Sequence, residues 1–253
     1  MAAVPAGNDN GAALEVERPH RVPWDGFSRI VIATDESAVK QHPEYEGAKT
    51  GDVPSAKRLA AQLADPETLA AIRELIGGRP AAMLPVHALE NQGYNRIPAA
   101  YAELLAERLG LEVETGIVQA NVVNHTGASG WGRMVRPPIF DGVVIPDRDY
   151  LMVDDFVGQG GTLANLRGYL IAGGGVALGA TTLTGRADSA TLALQTNTLA
   201  ALRGKHGEQI ENWWQGTFGY RFDCLTESEA RYLLRVEDAD TIRARLVEAG
   251  SQE

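Results

Sequence analysis

The stretch from Tyr150 to Leu163, YLMVDDFVGQGGTL, constrains this chain more than any other. An apolar, β-forming run enters two adjacent carboxylates and then a glycine-rich turn that opens an apolar helix. In an open α/β sheet, ligands sit in the crevice beyond the carboxyl ends of the strands, and Asp154 and Asp155 fall at that end. The backbone donors of Gly158 to Thr162 would form a concave anion site beside them, helped by the positive end of the helix dipole. Carboxylates accept hydrogen bonds from vicinal hydroxyls and hold Mg²⁺ through water, because magnesium favours hard oxygen and keeps part of its hydration shell. Glycines let the backbone approach a phosphate closely, and Thr162 adds a hydroxyl donor. The order suits a sugar phosphate, since adjacent acids are costly to bury unless they bind something.

Two familiar phosphate loops compete for the segment. A P-loop needs a lysine before its final Ser or Thr, whereas Thr162 follows Gly161. A dinucleotide fingerprint needs a third glycine where Leu163 stands, and it leaves the acidic pair unexplained.

VDDFVGQGGTL resembles the PRPP-binding motif of the type I phosphoribosyltransferases, and the family likeness covers about residues 80 to 185. The resemblance implies that Asp154 and Asp155 hold the ribose hydroxyls and Mg²⁺, and that Val157, Gly158, Gln159, Gly160, Gly161 and Thr162 seat the 5-phosphate. Gln159 stands where the family usually has threonine. A pyrophosphate loop would come from Glu90, Asn91, Gly93, Asn95 and Arg96, in a form longer than the family's usual one. The long segment from Asn121 to Pro138 resembles the family's flexible loop, and loops of that length are often lids. Arg133, Arg136 and His125 on it would neutralise departing pyrophosphate. The reaction so implied is Mg²⁺-dependent transfer of 5-phosphoribosyl from PRPP to a nitrogen nucleophile on a small-molecule acceptor, in a homodimer. Two alternatives remain: a non-catalytic PRPP- or nucleotide-binding regulator of the same fold, and, more weakly, an NAD(P)-dependent oxidoreductase in which Arg186 meets a 2′-phosphate.

With 253 residues, 44% of them hydrophobic, the chain can bury a substantial core. It contains no apolar run of about 18 residues for a membrane span, and its first residues lack the pattern of a signal peptide, so a cytoplasmic location is expected. The single Cys224 has no disulfide partner and reads as structural. A net charge of −10 argues against a nucleic-acid surface, which depends on clustered Lys and Arg.

The expected architecture is a doubly wound, mainly parallel, Rossmann-like α/β sheet with a hood and a helical C-terminal extension. Residues 1–22 read as a flexible leader, 23–204 as the α/β domain and 205–253 as the extension. Strands are expected at Arg29–Thr34, Ala81–Val86, Glu112–Gln119 and Val176–Leu183, and Ile139–Ile145 is expected to pair with Tyr150–Asp154. Helices are expected at Pro54–Leu63, Pro66–Ile76, Ala99–Leu109, after the motif, at Ala190–Leu202 and at Thr241–Ala249. Lys40 to Asp52 reads as a long polar loop. Asp65 is placed to cap a helix, Thr226 and Glu229 match a capping box, and Trp213 and Trp214 are expected to anchor the tail.

Overall fold

The computed structural model describes residues 17–27, 29–87, 89–90, 93–122 and 129–251. The first strand, β1 (Val31–Asp35), runs into two short helices, α1 (Glu36–Lys40) and α2 (Tyr45–Thr50), and then into α3 (Val53–Leu63) and α4 (Pro66–Ile76). Asp52 and Asp65 cap the last two by accepting the N–H of Ser55 and Thr68, each ahead of a proline in the first turn, where its missing N–H costs nothing. Next come β2 (Ala82–Pro85), a small hairpin of β3 (Leu89–Glu90) and β4 (Gly93–Tyr94), and α5 (Ile97–Leu109). The strands β5 (Glu112–Val113) and β6 (Val118–Gln119), the helix α6 (Gly130–Val135) and β7 (Phe140–Asp141) precede the motif itself. The motif forms β8 (Asp149–Val157) and α7 (Gly161–Ala172), followed by β9 (Val176–Gly185). Three helices complete the chain: α8 (Thr196–Phe218), α9 (Glu227–Leu234) and α10 (Ala239–Ser251).

Five strands form one parallel sheet in the order β1-β9-β8-β2-β5. Alternation along β8 sends Leu151 and Val153 to one face and Tyr150 and Met152 to the other. The first pair packs with Leu59, Ile72, Tyr101 and Leu105 from α3, α4 and α5. The second packs with Leu163, Leu166 and Leu170 from α7. Burial of each such side chain contributes about 1.5–3 kcal/mol, so covering both faces stabilises a sheet that could not stand with either exposed. The expected Rossmann-like α/β class is therefore observed. From β2 the chain winds outward through α5 to β5, and from β8 it winds the opposite way through α7 to β9. The reversal lies between β2 and β8.

Several local expectations are corrected. Lys40 to Asp52 is not a loop: it carries the end of α1 and all of α2, held by burial of Val39 and Ala48. Glu112 to Gln119 is two strands in two sheets, because the turn between them brings the Gly116 carbonyl against Gly142, where a Cβ could not fit. β6 then pairs antiparallel with β7. Ile139–Ile145 does not pair with β8, both of whose edges are taken by β2 and β9. The helix expected at Ala190–Leu202 begins instead at Thr196, after a short 3₁₀ turn over Ala187–Ala190 and a bridge between Ala193 and Thr226.

The C-terminal helices build their own core around Trp214, Phe218, Phe222 and Leu246, joined by Met134 and Val135 of α6. Residue 205 lies inside α8, just before its kink at Gly207. The capping box of Thr226 and Glu229 is formed in full, and Cys224 is buried with its thiol pushed up to about 12 by burial and then by Asp223.

Candidate functional site

A cavity of about 530 Å³ opens beyond the carboxyl ends of β2 and β8, at the point where the winding reverses. Every residue from Asp154 to Leu163 lines it, so the acids and the glycine loop face one space. Gly160 caps α7 with φ of 80° and would run into Leu192 if it bore a side chain. The first turn of α7 has no side-chain cap, which leaves its amides for an anion.

The two acids have different surroundings. Asp154 is buried, and its carboxyl is held well above the ordinary range by desolvation and then by the neighbouring Asp155 charge. Its Oδ1 accepts the Asp155 N–H at 2.8 Å. Burial also works against ionisation of Asp155, but Lys49 Nζ at 3.0 Å and Asn95 Nδ2 at 2.9 Å, both on Oδ2, bring its carboxyl below the usual range. The pair thus favours one proton and one charge, with the charge on Asp155.

Asn95 is the residue of the expected pyrophosphate loop that lines the cavity among those whose side chains are described. Its Oδ1 accepts the Ile97 N–H at 3.1 Å, fixing the amide that reaches Asp155. Arg96 lies outside the lining, with its guanidinium 5.1 Å from the centre of the Tyr94 ring. Gly93, with φ of 124°, lets β4 lie against α2: a Cβ there would be 2.9 Å from the Thr50 carbonyl oxygen. Glu90 belongs to β3, and Asn91 falls outside the described residues.

The expected lid carries the helix α6 over Gly130–Val135. Met134 and Val135 bury α6 in the C-terminal core, and Ser129 caps it by accepting the Gly132 N–H. Arg133 lines the cavity, whereas Arg136, at the end of α6, is exposed and does not. His125 lies outside the described residues.

Sequence reasoning missed three cationic residues that line this cavity: Arg21, Lys40 and Lys49. Arg21 lies in the segment expected to be a loose leader. It is buried in an ion pair with Glu229 at 2.8 Å and also donates to Asn165 Oδ1 at 2.5 Å and to the Cys224 carbonyl at 3.1 Å. Burial opposes its charge, but Glu229 more than offsets this and raises its pKa. The leader therefore does not extend to residue 22. No local pattern marks these three residues, because each reaches the cavity through tertiary packing.

Fold and site together define a Rossmann-like α/β protein whose switch-point cavity joins an acidic pair to a glycine-rich anion loop. No protein-family model matches the chain. It is 40% identical over 235 residues to Protein TraN of Escherichia coli, a match covering 93% of this chain and 52% of that protein. It is also 41% identical over 152 residues to an uncharacterized protein of Haemophilus influenzae strain Rd, covering 60% of this chain and 34% of that one. The chain thus spans about half the length of the first of these curated relatives and a smaller share of the second. The match to Protein TraN overturns the expected activity: a relative this similar over most of the chain is not a phosphoribosyltransferase, and the assignments to transferase and to nucleotide metabolism do not stand. At the position where a dinucleotide fingerprint would have its third glycine, Leu163 is a buried core side chain.

Proposed function

We propose that this chain is a binding module for a phosphorylated ribose of the PRPP or ribonucleotide class, taken up together with Mg²⁺. The observation that carries the reading is the convergence of Asp154, Asp155 and the Gly158–Thr162 loop on one cavity at the switch point. Asp155, kept ionised by Lys49 and Asn95, accepts a hydrogen bond from a ribose hydroxyl. Asp154, once its proton has left, accepts a second, and the first-turn amides of α7 take the phosphate.

The donor set also suits Mg²⁺ in a particular way. Among the described residues, no group of three or more His, Cys, Asp or Glu side chains could hold a metal ion alone. Two adjacent carboxylates fit an ion that keeps most of its water and is completed by ligand phosphates. Asp154 and Asp155 would hold it, and it would supply positive charge against the ligand's phosphates.

Isothermal titration with PRPP and with ribose 5-phosphate, each with Mg²⁺ and with EDTA, tests the reading. Asp155→Asn and Asp154→Asn should each weaken binding by about tenfold or more, the loss of a charge-assisted contact, while circular dichroism stays unchanged. Unaltered affinity in both variants sinks the proposal.

A further inference from the structure

Two arginines flank the mouth of the phosphate loop. Arg133 reaches it from α6: a Cβ placed on Gly158 would lie 3.2 Å from Arg133 Nη1. Arg186 follows β9 directly, and its N–H donates to the Val157 carbonyl at 3.1 Å, which sets its backbone beside the first loop residue. Both residues line the cavity. Burial, and then the nearby Arg186, hold the Arg133 guanidinium below its ordinary range.

Gln159, in the loop itself, keeps both side-chain amide atoms buried with no hydrogen-bond partner among the described residues. Arg133 and Arg186 bring guanidinium groups to the end of the cavity where the α7 amides point.

We infer that Arg133 and Arg186 make this loop selective for a terminal phosphomonoester over a phosphodiester. The inference rests on the ribose-phosphate reading and sharpens its ligand class to a 5-phosphorylated ribose or ribonucleoside 5′-monophosphate, against a dinucleotide. A monoester carries about −1.5 to −2 charge near pH 7 and three free acceptor oxygens. A diester carries a single charge and places carbon on one of those oxygens. Guanidinium groups hydrogen-bond phosphate oxygens in pairs, so a third free oxygen is what the second arginine can use.

The test is calorimetric binding of ribose 5-phosphate and of its methyl phosphodiester, in the presence of Mg²⁺, to the whole chain and to Arg133→Ala and Arg186→Ala. The native protein should prefer the monoester by about tenfold or more. Either substitution should narrow that preference to about threefold or less by weakening the monoester alone. Equal binding of the two esters overturns the inference and leaves the ribose-phosphate reading standing, as does a preference unchanged in both variants. Binding of neither ester overturns both. Arg186 is exposed, so its variant gives a result even if Arg133→Ala disturbs α6.

Discussion

At the residue scale, Asp154 and Asp155 show how neighbours of identical chemistry are driven apart. Asp154 stays protonated further up the pH scale because it is buried beside a charge, and Asp155 ionises more readily because Lys49 and Asn95 are in place. The raised Asp154 has a definite consequence for stability. The unfolded chain releases that proton near pH 4 while the folded chain retains it, so stability falls as pH rises from about 4 to the folded pKa. Asp154→Asn should therefore raise the melting temperature, least near pH 4 and more as pH rises through the folded pKa. Thermal denaturation across that range checks it, and a variant less stable than the native protein at pH 8 would contradict the account. Affinity for Mg²⁺ and ribose 5-phosphate should rise with pH, because binding requires Asp154 to give up the proton that burial favours, and calorimetric titration across a pH series checks it. The acidic pair was plain in the sequence. The asymmetry was not, because Lys49 and Asn95 lie far away along the chain.

At the element scale, glycine positions separate what local pattern predicts from what packing imposes. Gly168 lies in the middle of α7, where alanine would favour an isolated helix by about 1 kcal/mol. In this molecule the backbone of His20 and Arg21 crosses α7 at that position, and a Cβ would run into the His20 carbonyl. Gly168→Ala should thus destabilise the protein, opposite to helix propensity, and should speed limited proteolysis between residues 17 and 27. Greater stability in urea would show that the crossing segment simply yields. The same contrast explains the mistaken elements. Helices α3, α4, α5 and α7 were readable from apolar spacing and caps, because those signals lie within one turn. The pairing of β6 with β7, and the helical state of Glu36–Lys40 and Tyr45–Thr50, depend on which distant surfaces they meet.

For the whole molecule, residues 17–27 act as a strap that ties the α/β body to the C-terminal helices. Arg21 sits where Asn165 of α7, the Cys224 carbonyl and Glu229 of α9 come together, and Glu229 also closes the capping box of α9. Arg167 donates to the carbonyls of Val22 and Pro23, and its guanidinium lies 4.6 Å from the Trp24 ring centre. Arg21→Ala should strand the Glu229 charge and lower stability by about 3–5 kcal/mol, read as a lower denaturant midpoint. The double variant Arg21→Met, Glu229→Leu should recover much of that loss, since removing both charges leaves none unpaired. If the double variant proved as unstable as Arg21→Ala, the cost would lie in packing and not in an unpaired charge. Across the molecule, the chain's own order of residues determined the strand, acid pair, glycine turn and helix of the motif, the alternation that covers both faces of the sheet, and most helix starts. Each depends on neighbours within a few positions. Tertiary structure alone decided that β2 and β8 lie side by side, which strands share a sheet, and that Arg21, Lys49, Arg133 and Arg186 surround one cavity. Those placements follow from burying surfaces contributed by remote segments, and no short window of sequence contains both halves of such a contact.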